Sequence, residues 1–144
     1  MSSFWWDDAD ARSTFETGAS AVARCISPAI TRRSFRYSAF VGVPRTGHIQ
    51  LRVEFASIDP HSPHVFSPPL GGSPHRNPDQ SMCLWYPLHP PDQRWEFGDG
   101  LRELLVMAVL HLRREALWRR SAPRFVDRTW PGPEVPHGYQ EALS

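Results

Sequence analysis

The sequence predicts an α+β fold in one domain spanning residues 1–144. Apolar and polar residues alternate strictly from 48 to 56, which is typical of a strand with one buried and one solvated face. Apolar residues also recur at the helical repeat from about Gly100 to Arg119. With 40% hydrophobic content, a chain of 144 residues is large enough to bury one ordinary core.

An amphipathic helix is predicted over residues 4–24, because apolar side chains recur there at spacings of three and four. Ser2 or Ser3 is the expected N-cap, and acidic residues in the first turn complement the helix dipole. Gly18 weakens the middle of this helix. Cys25 follows and is expected to pack as a structural residue.

Two strands are predicted over residues 34–43 and 48–56, and the short turn-like link between them indicates an antiparallel hairpin. In the second strand Ile49, Leu51, Val53 and Phe55 are expected to be buried, while Arg52 and Glu54 are expected to be exposed. A third, shorter strand is predicted near Val65 and Phe66. The proline content from Ser62 to Pro78 then favours an irregular loop without ladder pairing.

The last predicted element is a long helix from about Gly100 to Arg119 with Asp99 as its cap. Its apolar face comprises Leu101, Leu104, Leu105, Ala108, Leu112 and Ala116, and its solvated side includes Arg102, Glu103, Arg113, Arg114, Glu115, Arg119 and Arg120. The arginines from Arg113 to Arg120, which continue to Arg124 and Arg128, are expected to form a solvated face near the helix C-terminus, where the dipole favours cations. A docking surface for an acidic partner is the alternative.

The candidate site is the stretch from Ser73 to Pro87, where Cys83 follows a polar proline-containing loop that carries His75 and Asn77. A thiol in this position is a candidate nucleophile, although free cysteine is also among the most buried residue types. If Cys83 is the nucleophile, iodoacetamide is expected to label it before Cys25, because reactivity follows exposure and thiolate fraction.

The order of helix, antiparallel strands, His-x-Asn loop, cysteine and long helix resembles the ubiquitin-conjugating enzyme family over nearly the whole chain. Arg76 stands where the eukaryotic His-Pro-Asn motif has proline, and the interval from His75 to Cys83 is shorter. The Leu-Trp-Tyr-Pro after Cys83 and the motif from Trp130 to His137 are more similar to short bacterial members. Those members are found with cGAS-like nucleotidyltransferases in CBASS antiphage operons.

The resemblance implies a ubiquitin-conjugating fold with an N-terminal helix, a β-meander, a proline-rich active-site loop and a long C-terminal helix. It implies that Cys83 forms a thioester with a protein C-terminus, that of a cGAS-like nucleotidyltransferase, in antiphage defence. Asn77 is the candidate oxyanion donor or a turn cap, and His75 orients the loop or tunes the thiol. His137 completes the candidate set. The need for a separate activating enzyme and the identity of the acceptor stay open.

Two other functions use the same residues. A Cys–His hydrolase would need His75 or His137 as the base for Cys83. A non-catalytic binding module would keep the fold without the chemistry. A zinc site built from His61, His64, His75 and Cys83 matches no spacing of a metal motif, so no metal and no cofactor are expected.

Charge and cysteine content limit the partners and the cellular compartment that the sequence predicts. A formal charge of +1 gives no general attraction to nucleic acid or to anionic membranes. Two cysteines are too few for a secreted disulfide scaffold, which favours the cytoplasm. No signal peptide is evident, and the longest apolar stretch, 104–110, is too short to span a bilayer. All 16 basic residues are arginine, which reflects either genome composition or avoidance of amines near an activated acyl group.

Overall fold

An antiparallel sheet of four strands in the order β1-β2-β3-β4 forms the centre of the fold, and two helices share one hydrophobic core with it. The computed structural model describes residues 3–68, 73, 75–85 and 89–120. The helices and strands are α1 Ala9–Glu16, β1 Ala23–Ile30, β2 Ser34–Val43, β3 Gly47–Ala56, β4 Asp59–Phe66 and α2 Gly100–Arg120. This composition confirms the predicted α+β class for the described part of the chain.

Strands β2 and β3 form the predicted hairpin, which pairs residues 34–43 with residues 47–56. The side chains directed into the core are Phe35, Tyr37, Ala39, Val41 and Val43 from β2 and Ile49, Leu51, Val53 and Phe55 from β3. Arg52 is exposed as predicted, whereas Glu54 is half-buried and lies 3.3 Å from the Arg52 guanidinium. A shift of one residue would exchange the two faces, so the alternation specifies this register.

The N-terminal helix is shorter than predicted. The Asp8 side chain caps α1 by accepting two backbone N–H groups of the first turn. The helix ends before Gly18, which adopts a left-handed φ of +77°. The prediction of one helix over residues 4–24, capped at Ser2 or Ser3, is therefore wrong: α1 has eight residues, with short 3₁₀ turns on either side.

Strand β1 was not predicted, because its side chains show no alternation of apolar and polar positions. It lies at the edge of the sheet, and most of its residues are exposed. Its ladder with β2 is irregular between Arg24 and Ser27, and Cys25 sits in this irregularity with a φ of +53°. Cys25 is exposed, which corrects the expectation that it packs as a structural residue.

Strand β4 is longer than the short third strand predicted near Val65. It includes Pro60 and Pro63 and forms the other edge of the sheet. An edge strand tolerates proline because one side of its backbone needs no ladder donors. The expectation that residues 62–78 lack ladder pairing is therefore wrong for the part that lies in β4.

Helix α2 matches its predicted bounds closely and buries every apolar position predicted for it: Leu101, Leu104, Leu105, Ala108, Leu112 and Ala116. Two polar residues, His111 and Glu115, are buried on the same face. The placement of Glu115 on the solvated side is thus corrected. Within the described residues, no helix is both long and apolar enough to cross a membrane.

Candidate functional site

A narrow turn closed by backbone hydrogen bonds carries the candidate site. The N–H of Cys83 donates to the carbonyl of His75 at 3.0 Å, and the N–H of Asn77 donates to the carbonyl of Ser81 at 2.8 Å. Arg76 and Met82 form an isolated antiparallel bridge between these two contacts. The turn therefore behaves as a miniature hairpin, which places Asn77 and Cys83 on facing arms.

The hairpin is attached to the sheet through β4. The N–H of Met82 donates to the carbonyl of Val65 at 2.9 Å, and the Met82 side chain is buried in the core. Gln80, at the tip, adopts a φ of +73°, which lets the chain reverse direction sharply. Cys83 is therefore held in place by the adjacent Met82, which is bonded to β4 and packed in the core.

The Cys83 thiol is buried beside polar and charged groups. Only 8% of the residue is exposed, and the thiol donates a hydrogen bond to the Asn77 carboxamide oxygen over 3.2 Å. Burial raises the pKa of this thiol to about 11; the positive charge of Arg76 opposes the rise, and the carboxylates of Asp79 and Glu115 add to it. At rest the sulfur is therefore protonated at neutral pH.

Polar contacts continue from Asn77 toward the surface. Its amide nitrogen donates to the Ser81 hydroxyl at 3.0 Å, and that hydroxyl donates to one oxygen of Asp79. The other Asp79 oxygen lies 2.9 Å from Nδ1 of His64 on β4. Burial alone would raise the pKa of Asp79, but the hydrogen bonds from Ser81 and the contact with His64 lower it below its usual value.

A buried ion pair joins the hairpin to α2. The guanidinium of Arg76 donates two hydrogen bonds of 2.8 Å to the Glu115 carboxylate, in the bidentate geometry that arginine favours. His111, one turn earlier, places Nε2 3.3 Å from the same carboxylate. Burial would raise the pKa of Glu115, but Arg76 and His111 outweigh it and lower that pKa to about 2.

The structure brings together some of the predicted site residues. Asn77 contacts Cys83 directly, and His75 contacts it through a backbone hydrogen bond, while the His75 side chain is itself buried. His137 and the motif that begins at Trp130 lie outside the described residues.

Sequence reasoning missed the polar partners of the site. Ser81 and Asp79 are close in sequence, and an Asp two residues before a Ser is a signal for the side-chain turn that the structure shows, with the Ser81 N–H donating to Asp79 at 2.9 Å. The pair of Arg76 and Glu115 is separated by 39 residues and has no local signal. Arg76, noted only as a departure from a motif, is the residue that fastens the hairpin to the helix.

The histidines of this region do not assemble into a metal centre. His64 contacts Asp79, and the ring of His61 packs edge-on against Phe97 with centroids 4.8 Å apart. Among the described residues, no three His, Cys, Asp or Glu side chains are grouped to hold a metal ion.

No family model, no curated protein and no solved structure matches this chain.

Proposed function

We propose that the chain is a ubiquitin-conjugating-like acyl transferase in which Cys83 accepts a protein C-terminus as a thioester. The observation that carries the proposal is the contact between the Cys83 thiol and the Asn77 side chain, 3.2 Å apart on a hairpin tied to both the sheet and α2. A cysteine with a carboxamide beside it brings together the two groups that acyl transfer needs: a nucleophile and, once the Asn77 NH₂ group turns from Ser81 toward the sulfur, a donor for the oxyanion.

The chemical step is an exchange of thioesters. The sulfur of Cys83 attacks the carbonyl carbon of a C-terminus that an ATP-dependent activating enzyme holds as a thioester. The new C–S bond forms on Cys83, the C–S bond to the donor enzyme breaks, and the proton of the Cys83 thiol ends on the departing sulfur. Acyl group and proton change places, so the step needs neither an oxidant nor a reductant.

Burial and a raised pKa keep the Cys83 thiol unreactive in the resting site. With its pKa raised to about 11, the Cys83 thiol is almost entirely protonated at pH 7. Attack requires the thiolate, so binding of the partner must expose the sulfur and lower the pKa of the thiol. This requirement confines the reaction to the correct complex and suits an enzyme that must not acylate itself at random.

The resemblance to the ubiquitin-conjugating family supplies the partner in this proposal. The C-terminus that Cys83 receives would belong to a cGAS-like nucleotidyltransferase, and its transfer would control antiphage signalling. A binding module for the same partner is the second candidate, and it is favoured by the burial and the raised pKa of Cys83. The hydrolase gains no such support, because the partner that the described residues show for the thiol is the Asn77 carboxamide, which is not a general base.

Co-expression with the partner and an activating enzyme, followed by gels run with and without reductant, tests the proposal. The wild type is expected to form an adduct that thiols cleave, and Cys83→Ala is expected to form none. In Cys83→Ser any adduct would be an oxygen ester that resists mild thiol and yields to hydroxide. Cys25→Ser is the matched control and should retain the wild-type adduct.

Each alternative predicts another pattern. A binding module copurifies with its partner without any thiol-labile species, and its affinity is unchanged in Cys83→Ala. A hydrolase accumulates no adduct, and loss of its base, His75 or His137, slows it by roughly two to four orders of magnitude. Copurification with no adduct in the presence of ATP and the activating enzyme would contradict conjugation.

A further inference from the structure

An unbroken chain of hydrogen bonds links the Cys83 thiol to the protein surface. The thiol donates to Oδ1 of Asn77 at 3.2 Å, Nδ2 of Asn77 donates to the Ser81 hydroxyl at 3.0 Å, and the hydroxyl donates to Asp79. Ser81 is 1% exposed, so water cannot substitute for either of its partners, whereas Asp79 is exposed. The chain thus begins at a buried thiol and ends at a solvated carboxylate.

The ionised carboxylate at the outer end determines the direction of every bond in this chain. A carboxylate only accepts hydrogen bonds, so the single proton of the Ser81 hydroxyl must point to Asp79. The hydroxyl can then offer only lone pairs to Asn77, which must present its NH₂ group to Ser81. The remaining end of the carboxamide, the oxygen, is left to face Cys83.

We propose that Ser81 and Asp79 are positioning residues that determine which end of the Asn77 carboxamide faces Cys83. The proposal rests on the proposed function, because it assigns roles around the same thiol. In the orientation that they hold, Asn77 accepts from the thiol and stabilises its protonated form. Reversal of the carboxamide would present Nδ2 to the sulfur, where it would stabilise a thiolate or an oxyanion.

Reversal of the Asn77 carboxamide requires the hydrogen bond from Ser81 to Asp79 to break. If the oxygen of Asn77 turns to Ser81, the hydroxyl must donate to Asn77 and give up its bond to Asp79. A partner that draws Asp79 away, or that offers Asp79 another donor, therefore releases the carboxamide to turn. Asp79 is accessible to such a partner because it lies at the exposed end of the chain of hydrogen bonds, next to His64.

The pH dependence of Cys83 alkylation by iodoacetamide tests this arrangement in the full chain carrying Cys25→Ser. Ser81→Ala frees the carboxamide to turn, so the pKa of the Cys83 thiol is expected to fall by about one unit. The same change in an Asn77→Ala background should produce no shift, because no carboxamide is left to position. A shift of equal size in both backgrounds, or none in either, would overturn the proposal.

Asp79→Asn is the second variant, and it needs a control for charge. The Asp79 carboxylate raises the pKa of Cys83 through its charge alone, alongside Glu115 and against Arg76. In the Ser81→Ala background the chain is already cut, so Asp79→Asn there measures only the charge. The fall caused by Asp79→Asn is expected to be larger when Ser81 is present, and an equal fall in both backgrounds would refute a positioning role.

A measurement on the unaltered residues guards against variants that fail to fold. In nuclear Overhauser spectra of the native chain, the protons of the Asn77 side-chain NH₂ group should show contacts to the Ser81 methylene. Contacts to the Cys83 methylene instead would overturn the proposed orientation of the carboxamide. These readouts use no acyl donor. Failure of thioester formation therefore leaves them intact, and an unshifted thiol pKa leaves the proposed function standing.

Discussion

Glu115 is a fully buried carboxylate, and it stays ionised because Arg76 and His111 contact it. Removing one member of such a pair leaves the other charge buried without compensation, which is more costly than the pair itself is stabilising. Protonation of Glu115 in acid should therefore destabilise the fold.

The first prediction concerns pH. Because the pKa of Glu115 is lowered to about 2, its contribution to stability is complete above the unfolded value of about 4.3 and is lost as pH falls toward 2. A shift of about two units corresponds to roughly 3 kcal/mol. Urea unfolding should show Glu115→Gln less stable than wild type by about this amount at pH 7, with the difference shrinking between about pH 5 and pH 2.

The control is Glu54→Gln, which removes a half-buried carboxylate paired with the exposed Arg52. Pairs of this kind are worth about 1 kcal/mol or less, so little change is expected. A constant difference between wild type and Glu115→Gln across the acid range would show that the ion pair is not what titrates.

The second prediction concerns the two thiols. Cys25 is exposed and Cys83 is buried with a raised pKa, so iodoacetamide at neutral pH should modify Cys25 first. This order reverses the one expected from the sequence. Mass spectrometry of the peptides at increasing times measures it, and Cys25→Ser should slow total labelling far more than Cys83→Ala does. Earlier labelling of Cys83 would mean that the hairpin opens readily in solution.

Among the elements, the end of α1 depends on a single glycine. Gly18 has a φ of +77°, and a Cβ built there would lie 3.1 Å from Cδ of Arg102 on α2. A left-handed conformation disfavours any residue with a Cβ, while the arginine can move aside. The backbone is therefore the main obstacle to substitution at this site.

The third prediction follows. Gly18→Ala should lower the free energy of unfolding by about 1 kcal/mol, measured by urea denaturation. Gly98→Ala is the matched control, because Gly98 has open space around its Cα and no left-handed φ. Equal effects of the two substitutions would show that the conformation of Gly18 is not the cause.

How far each element could be predicted depends on its environment. Strand β3 and helix α2 have one buried face each, so their periodicity is visible in the sequence. Strand β1 is exposed along most of its length and has no period to detect. At the site, the pairing of Asn77 with Cys83 came from the family resemblance, whereas the bond between Arg76 and Glu115 arises only once the helix has packed on the hairpin.

At the scale of the whole molecule, an aromatic cluster joins the start of the chain to the sheet. Trp5 contacts the rings of Phe15, Phe35, Phe55 and Phe97, and its indole N–H donates to the carbonyl of Pro60 on β4 at 2.6 Å. These residues are distant in sequence, and Trp5 and Pro60 are 55 positions apart. The cluster therefore consists of tertiary contacts that local sequence patterns do not reveal.

The fourth prediction separates the contribution of the Trp5 ring contacts from that of the hydrogen bond to Pro60. Trp5→Phe keeps a ring but removes the donor to Pro60, which should cost about 1 to 2 kcal/mol of unfolding free energy. Trp5→Leu also removes the ring contacts and should cost more. Urea denaturation of the two variants measures the series, and an unchanged midpoint for Trp5→Phe would show that water replaces the lost donor.

The burial of Cys83 also has a consequence for oxidation. Peroxide attacks thiolates that solvent can reach, so susceptibility follows ionisation and exposure together. Cys83 has little of either, whereas Cys25 stands exposed at the edge of the sheet. Under oxidative stress peroxide would oxidise Cys25 to a sulfenic acid, which can condense with glutathione to a mixed disulfide, while Cys83 stays reduced. The hairpin thus keeps the Cys83 thiol in its reduced form.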